Sequence, residues 1–150
     1  MSWFGLLKRK KNLTVKVKKL HKDAIIPQYA KHGDAGLDLT ATSRTIDADG
    51  NVVYGTGLSF IIPKGWIGVI LPCRNISMKN IVLTSSVDII NHQHEGEVVI
   101  RFKPLIGVFN DIAIKHKYSI FCDKTNVYKI GEIIGKVIFM PYTQLNLIEE

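Results

Sequence analysis

The residues best able to act in catalysis or metal binding lie close together between Asp88 and Gly96, in the order Asp-Ile-Ile-Asn-His-Gln-His-Glu-Gly. A carboxylate or an imidazole can act as a general base, and residues two apart share one face of a strand. His92 and His94 could therefore bind a metal ion together, but the sequence offers no evident third ligand. The pattern favours the alternative, a solvated hairpin tip, so we predict no metal site.

The elements that position these residues are predicted to be strands. The chain has 150 residues, 46% hydrophobic and 22% charged, as expected for one globular domain with a real core. It has no long stretch of helical periodicity and no apolar run long enough to cross a bilayer. Segments rich in β-branched and aromatic residues predict the strands Ile67 to Leu71, Ile81 to Thr84, Glu97 to Phe102, Tyr118 to Phe121 and Ile133 to Phe139.

Shorter signals complete this pattern. Residues Thr14 to Lys18 alternate as a half-buried strand does, and turns are predicted at Asp47 to Asn51 and at Pro63 to Gly65. A short helical turn is expected around Ser77 to Asn80. Many short strands separated by turns predict an all-β sandwich, barrel or jelly roll.

The net charge of +7 is concentrated at one end of the chain. Residues 1–22 hold eight of the 20 Lys and Arg and no acid, which leaves 12 basic against 13 acidic residues, a net charge of −1, over residues 23–150. A nucleic-acid-binding domain would spread its basic residues over a face. We therefore predict a basic and apolar arm, residues 1–12, followed by a near-neutral β domain, residues 13–150.

Two cysteines, Cys73 and Cys122, are too few for a disulfide framework. No secretory signal precedes them, because the apolar residues at the start come before the basic ones. Free thiols in a reducing compartment are expected, with Cys73 as a buried structural thiol.

Several motifs follow one another in a fixed order along residues 13–142. The first is Gly33 to Ala41, which contains the pattern Ala-Gly-x-Asp-Leu. The later ones are Gly57-Leu58, Ile62 to Gly65, Leu71 to Arg74, Ile81 to Val87, Gly96-Glu97 and Tyr128 to Glu132. In this order the segments resemble the trimeric dUTPase family, and its phage branch in particular. The resemblance implies a β-jelly-roll (β-clip) subunit in a threefold homotrimer, with sites between subunits that hydrolyse dUTP to dUMP and pyrophosphate using Mg²⁺.

The third motif of the family, Gly-Val-Ile-Asp-x-Asp-Tyr-x-Gly, supplies the aspartate that activates water. When the two sequences are aligned on Gly96, Asn91 takes the place of that aspartate. A neutral amide cannot accept the proton of a water molecule near pH 7. Asp88 lies three residues away, so on a continuous strand its side chain faces the other way. His94 replaces the tyrosine on which the deoxyribose packs.

Other motifs of the family are eroded as well. The Arg-Ser-Ser of the second motif becomes Arg74-Asn75-Ile76, which removes hydroxyl groups that bind phosphate. In the fourth motif Ile133 replaces a cation and Lys136 replaces an amide, and the Gly-rich fifth motif is not found. The vestigial catalytic positions are Asp38, Arg74, Asn91, His94 and Lys136. If nucleotide binding is retained, the resemblance assigns it to Arg74, Asn75, Ile90, Asn91, His94 and Gly96.

We therefore predict a non-catalytic dUTPase-fold homotrimer that serves as a structural or interaction module. The phage resemblance makes a virion component, such as a head decoration or head fibre, one form of this role. The alternatives are a divergent dUTPase and a nucleotide-binding regulatory protein. No cofactor is expected, and Mg²⁺ would be needed only by the divergent dUTPase.

The N-terminal arm is predicted to bind a partner. It joins apolar residues to cations, namely Trp3, Phe4, Leu6, Leu7, Lys8, Arg9, Lys10 and Lys11. A protein groove, such as a virion or capsid surface, suits this pattern best, with nucleic acid and anionic membrane as alternatives. The expected location is the virion if the role is structural and the cytoplasm otherwise.

Overall fold

The computed structural model describes residues 13–105 and 127–150. The described residues form ten strands and one 3₁₀ turn at Arg74–Met78. The strands are β1 (Lys16–Lys19), β2 (Leu37–Thr40), β3 (Ser43–Ile46), β4 (Val52–Gly55), β5 (Leu58–Ile61), β6 (Trp66–Pro72), β7 (Ile81–Leu83), β8 (Asp88–Ile90), β9 (Val99–Pro104) and β10 (Ile133–Pro141). The predicted all-β class is confirmed.

The strands form two four-stranded antiparallel sheets and one strand pair. The first sheet has the order β2-β10-β6-β8, and the second has the order β3-β4-β9-β7. β1 pairs with β5. The order of the first sheet brings together strands that are far apart in sequence, so β10 lies between the strands that carry Asp38 and Leu71.

The hydrophobic core contains residues from both four-stranded sheets. In β9, Ile100 and Phe102 are buried while Arg101 and Lys103 are exposed, as the two-residue repeat of a strand requires. The first sheet contributes residues such as Ile70, and the Cδ1 atom of Ile100 lies against Gly135 of β10. One face of each sheet is thereby committed to the core, and the other is available for a site.

Most of the predicted elements are found. Strands β1, β6, β7, β9 and β10 overlap the segments predicted from sequence, and the turn at Asp47 to Asn51 is present with Gly50 at a φ of 81°. The predicted helical turn occurs a few residues earlier, at Arg74–Met78. The predicted strand Tyr118 to Phe121, the arm of residues 1–12 and Cys122 lie outside the described residues.

Candidate functional site

A cleft of about 570 Å³ lies beside the end of β8. The segment from Asn91 to His94 forms one wall, and a tight turn fixes it because the His94 amide donates to the Asn91 carbonyl at 3.0 Å. The cleft is lined by Ile67, Ile89, Asn91, His92, Gln93, His94, Tyr142 and Gln144. These side chains carry amide, imidazole and phenol groups, so the cleft can form many hydrogen bonds without a carboxylate.

The two faces of β8 decide which side chains reach the cleft. Ile89 and Asn91 line it, whereas Asp88 does not. Asp88 pairs with the buried Ile70 and points to that side of the sheet. The strand parity predicted from sequence therefore holds, and the carboxylate of Asp88 does not line the cleft. Ile90 is only 5% exposed in the core, so its side chain is not available to a ligand.

A second polar group lies on the same sheet, where β2 and β10 pair. The Nζ atom of Lys136 donates to Oδ1 of Asp38 at 2.6 Å, and the two residues are directly paired in the register. The side chain of Asp38 is 15% exposed and that of Lys136 is 35% exposed. The hydrogen bond to Asp38 raises the pKa of Lys136 above its ordinary value of 10.5. Two positions predicted separately are thus one ion pair.

Cys73 lies close enough to this ion pair for both charges to act on the pKa of its thiol: Asp38 raises it and Lys136 lowers it. Its side chain is buried, as predicted. Burial raises the pKa of the Cys73 thiol to about 11, so the group stays protonated near neutral pH. A protonated, buried thiol is a packing residue and a poor nucleophile.

The 3₁₀ turn that follows β6 carries Arg74 and Asn75. Arg74 is exposed, but Asn75 is engaged, because its Oδ1 atom accepts a hydrogen bond of 2.9 Å from the Tyr128 hydroxyl. The Lys79 ammonium lies 5.1 Å from the centre of the Tyr128 ring and 3.7 Å from a Glu132 carboxylate oxygen. Both residues are exposed, but the amide oxygen of Asn75 is already used to fix the turn, whereas no such bond holds the Arg74 side chain in the described residues.

The predicted site residues fall into two separate groups within one chain. Asn91 and His94 line the cleft beside Ile67, whereas Lys136 pairs with Leu71 at the other end of β6. Ile67 and Leu71 are four residues apart on this strand, which corresponds to about 13 Å. Neither Lys136 nor Arg74 lines the cleft, and the exposed Gly96 does not either.

Sequence reasoning missed Tyr142 and Gln144, which line the cleft together with the Asn91 segment. They follow β10 directly, and the Tyr142 amide donates to the Gly65 carbonyl at 3.0 Å. That long-range bond places them, and no local sequence signal reveals it.

The described residues contain no group of three or more His, Cys, Asp or Glu side chains that could hold a metal ion. They also contain no helix that is long and apolar enough to span a membrane.

Comparison with known proteins supports one family throughout. A sequence model of the dUTPase family matches residues 22–150. The deoxyuridine 5'-triphosphate nucleotidohydrolase of Hydrogenobaculum sp. is 27% identical over 136 residues, which cover 89% of this chain and 83% of that protein. The protein of the same name from Haemophilus ducreyi is 30% identical over 124 residues, which cover 79% and 71%.

Solved structures agree with this result at the level of the fold. The dUTPase of Staphylococcus bacteriophage 80alpha, in a complex with dUPNHPP, superposes with a TM-score of 0.69 at 20% identity, over 91% of this chain and 88% of that chain. A mutant dUTPase from phage phi11 of S. aureus gives 0.67 at 16% identity, over 91% and 96%. Fold and matches together define a dUTPase-like β-jelly-roll protein. The chain belongs to the dUTPase family.

Proposed function

We propose that this chain is a dUTPase-fold protein that does not hydrolyse dUTP and acts as a homotrimeric interaction module. The observation that carries the proposal is the amide of Asn91 in the cleft, at the position where the family has its catalytic aspartate. An amide can hold a water molecule by hydrogen bonds but cannot take its proton near neutral pH. Loss of one such group costs about 10²–10⁴ in rate.

Two imidazoles in the same cleft are the competing candidates for a base. His92 and His94 both line it, and a neutral imidazole can accept a proton. A general base must also be oriented, commonly by a third group that hydrogen-bonds to it. In the described residues neither imidazole has a hydrogen-bond partner. This arrangement favours an inactive cleft.

The direct test is pyrophosphate release from dUTP and Mg²⁺ by the purified full chain, beside a mock purification and an active member of the family. We expect the signal of this protein to equal that of the mock purification. Turnover clearly above the mock would contradict the proposal and would direct attention to His92 and His94.

The homotrimer is supported by surfaces that one chain leaves uncovered. Residues after β10 form an extended tail in which Leu145, Leu147 and Ile148 are 72%, 92% and 90% exposed. A cavity of about 440 Å³ near β1 is lined mainly by apolar residues, including Val15, Val17 and Phe60. In the described part of the chain β1 pairs only with β5, so its other edge can accept a strand. Lys16 and Lys18 on β1 also complement Glu149 and Glu150 at the tail.

Leu147→Asp is therefore expected to weaken the trimer. Burying a leucine contributes about 1.5–3 kcal/mol, so the dissociation constant should rise at least about tenfold. Sedimentation velocity over a range of protein concentrations measures this change. Met78→Asp is the matched control, because Met78 is 80% exposed and belongs to the 3₁₀ turn and not to the tail. Equal behaviour of the two variants, or a monomeric unmodified protein, would contradict the tail contact.

Two alternative functions have specific support. The relatives from bacteria carry the name of a hydrolase, which favours a divergent dUTPase. The phage 80alpha dUTPase is described as controlling the transfer of virulence genes by a G protein-like mechanism, which favours a nucleotide-binding regulator. Asn91 and His94 in the cleft, and the exposed Arg74 outside it, are the side chains available for such binding. Ile90 and Gly96 could contribute only through their backbone.

The proposed partner of the trimer rests on the sequence of the arm. Its apolar start and cationic run, Trp3 to Lys11, suit a protein surface, and three arms on one trimer would raise avidity for a repetitive partner. A virion or capsid surface is such a partner. The virion location stays a prediction from sequence, since the arm lies outside the described residues.

A further inference from the structure

Lys136 is held against Asp38 by more than its hydrogen bond. Gly36 of the neighbouring segment leaves room for the lysine stem, since a Cβ atom at that position would lie 3.1 Å from Lys136 Cβ and 3.4 Å from Lys136 Cδ. The stem therefore packs on the backbone that leads into β2. Its ammonium reaches Oδ1 of Asp38 at 2.6 Å, where the carboxylate is largely shielded from water.

This arrangement does not fit the Mg²⁺ that the family resemblance implies. Mg²⁺ is bound by carboxylate and phosphate oxygens with uncompensated negative charge. The negative charge of the Asp38 carboxylate is already neutralised by the Lys136 ammonium. A divalent cation beside Asp38 would in addition be repelled by that ammonium. The described residues offer no cluster of acidic or imidazole ligands in its place.

We propose that Lys136 is a built-in cation that neutralises the Asp38 carboxylate and so keeps a divalent metal from binding beside it. The inference goes beyond the proposed function and does not depend on Asn91, since it concerns metal binding and not turnover.

The test uses Mn²⁺ as a paramagnetic probe for Mg²⁺, with water-proton relaxation measured on the full chain. The unmodified protein should show no saturable binding that depends on Asp38, so Asp38→Asn should leave its titration unchanged. Lys136→Gln, which restores the amide of the family motif, should bind Mn²⁺ at least about tenfold more tightly, because removing a nearby cation removes that repulsion. The double variant Asp38→Asn with Lys136→Gln should lose this gain.

The opposite results would overturn the inference. One is saturable Mn²⁺ binding by the unmodified protein that Asp38→Asn abolishes, a comparison that does not require Lys136→Gln to fold. The other is a folded Lys136→Gln protein, shown by its circular dichroism, whose affinity for Mn²⁺ equals that of the unmodified protein.

Discussion

Asn91→Asp is expected to raise the rate of pyrophosphate release from dUTP by about 100-fold or more when it is compared with Asn91 in proteins that both carry Lys136→Gln, which removes the cation beside Asp38. The substitution places a carboxylate in the cleft, at the position that the resemblance aligns with the base of the family, without changing the size of the side chain. A carboxylate accepts the proton of the attacking water, which the amide cannot do. Quenched-flow or coupled assays of pyrophosphate, run at several dUTP concentrations, measure the gain as a change in kcat.

Asp88→Asn provides the matched control for this experiment. It removes a carboxylate only three residues away, but Asp88 pairs with Ile70 and does not line the cleft. It should leave the rate unchanged both alone and together with Asn91→Asp. A gain below a few-fold for Asn91→Asp would mean that the missing carboxylate does not limit the reaction. The separation of Lys136 from the cleft, about four residues along β6, would then be the next cause to examine.

The strands that the sequence predicts are those whose own residues are rich in β-branched types or alternate between apolar and polar types. β6, β9 and β10 are rich in β-branched residues, and β9 alternates between buried and exposed positions. β3, by contrast, is exposed at all four positions and is a strand because it pairs with β4. Its four residues show no alternation of apolar and polar types, so this strand is recognised only through its hairpin with β4 across the turn at Asp47 to Asn51.

In the candidate site, too, some features follow from neighbouring residues and others only from the pairing of strands. Residue type shows that Asn91 brings an amide to the cleft, and strand parity gives the orientation of Asp88; both signals are local. The ion pair of Asp38 and Lys136 joins residues 98 positions apart. The ion pair forms because the register of β2 against β10 places the two residues opposite each other. In the sequence, each of them could be identified only as one vestigial position of a motif.

Tyr54→Ala is expected to lower the free energy of unfolding by about 3–5 kcal/mol, the usual cost of removing a buried aromatic ring. Tyr54 is 0% exposed and lies edge-on to Phe102 and Tyr128, with ring centroids 5.8 Å and 6.1 Å away. Its hydroxyl donates to the Tyr128 carbonyl at 2.8 Å. The ring therefore links the core to the residue that holds the 3₁₀ turn.

Urea unfolding at one protein concentration measures the loss, because the stability of an oligomer depends on concentration. Tyr54→Phe keeps the ring and removes the donor to Tyr128, so it should cost about 1–3 kcal/mol. Ile46→Ala is the control, since Ile46 is 55% exposed, and it should cost less than about 1 kcal/mol. Tyr128 also donates to Asn75, the neighbour of Arg74. If Tyr54→Ala lost no more stability than Tyr54→Phe, the aromatic cluster would not be what anchors the Arg74 turn to the core.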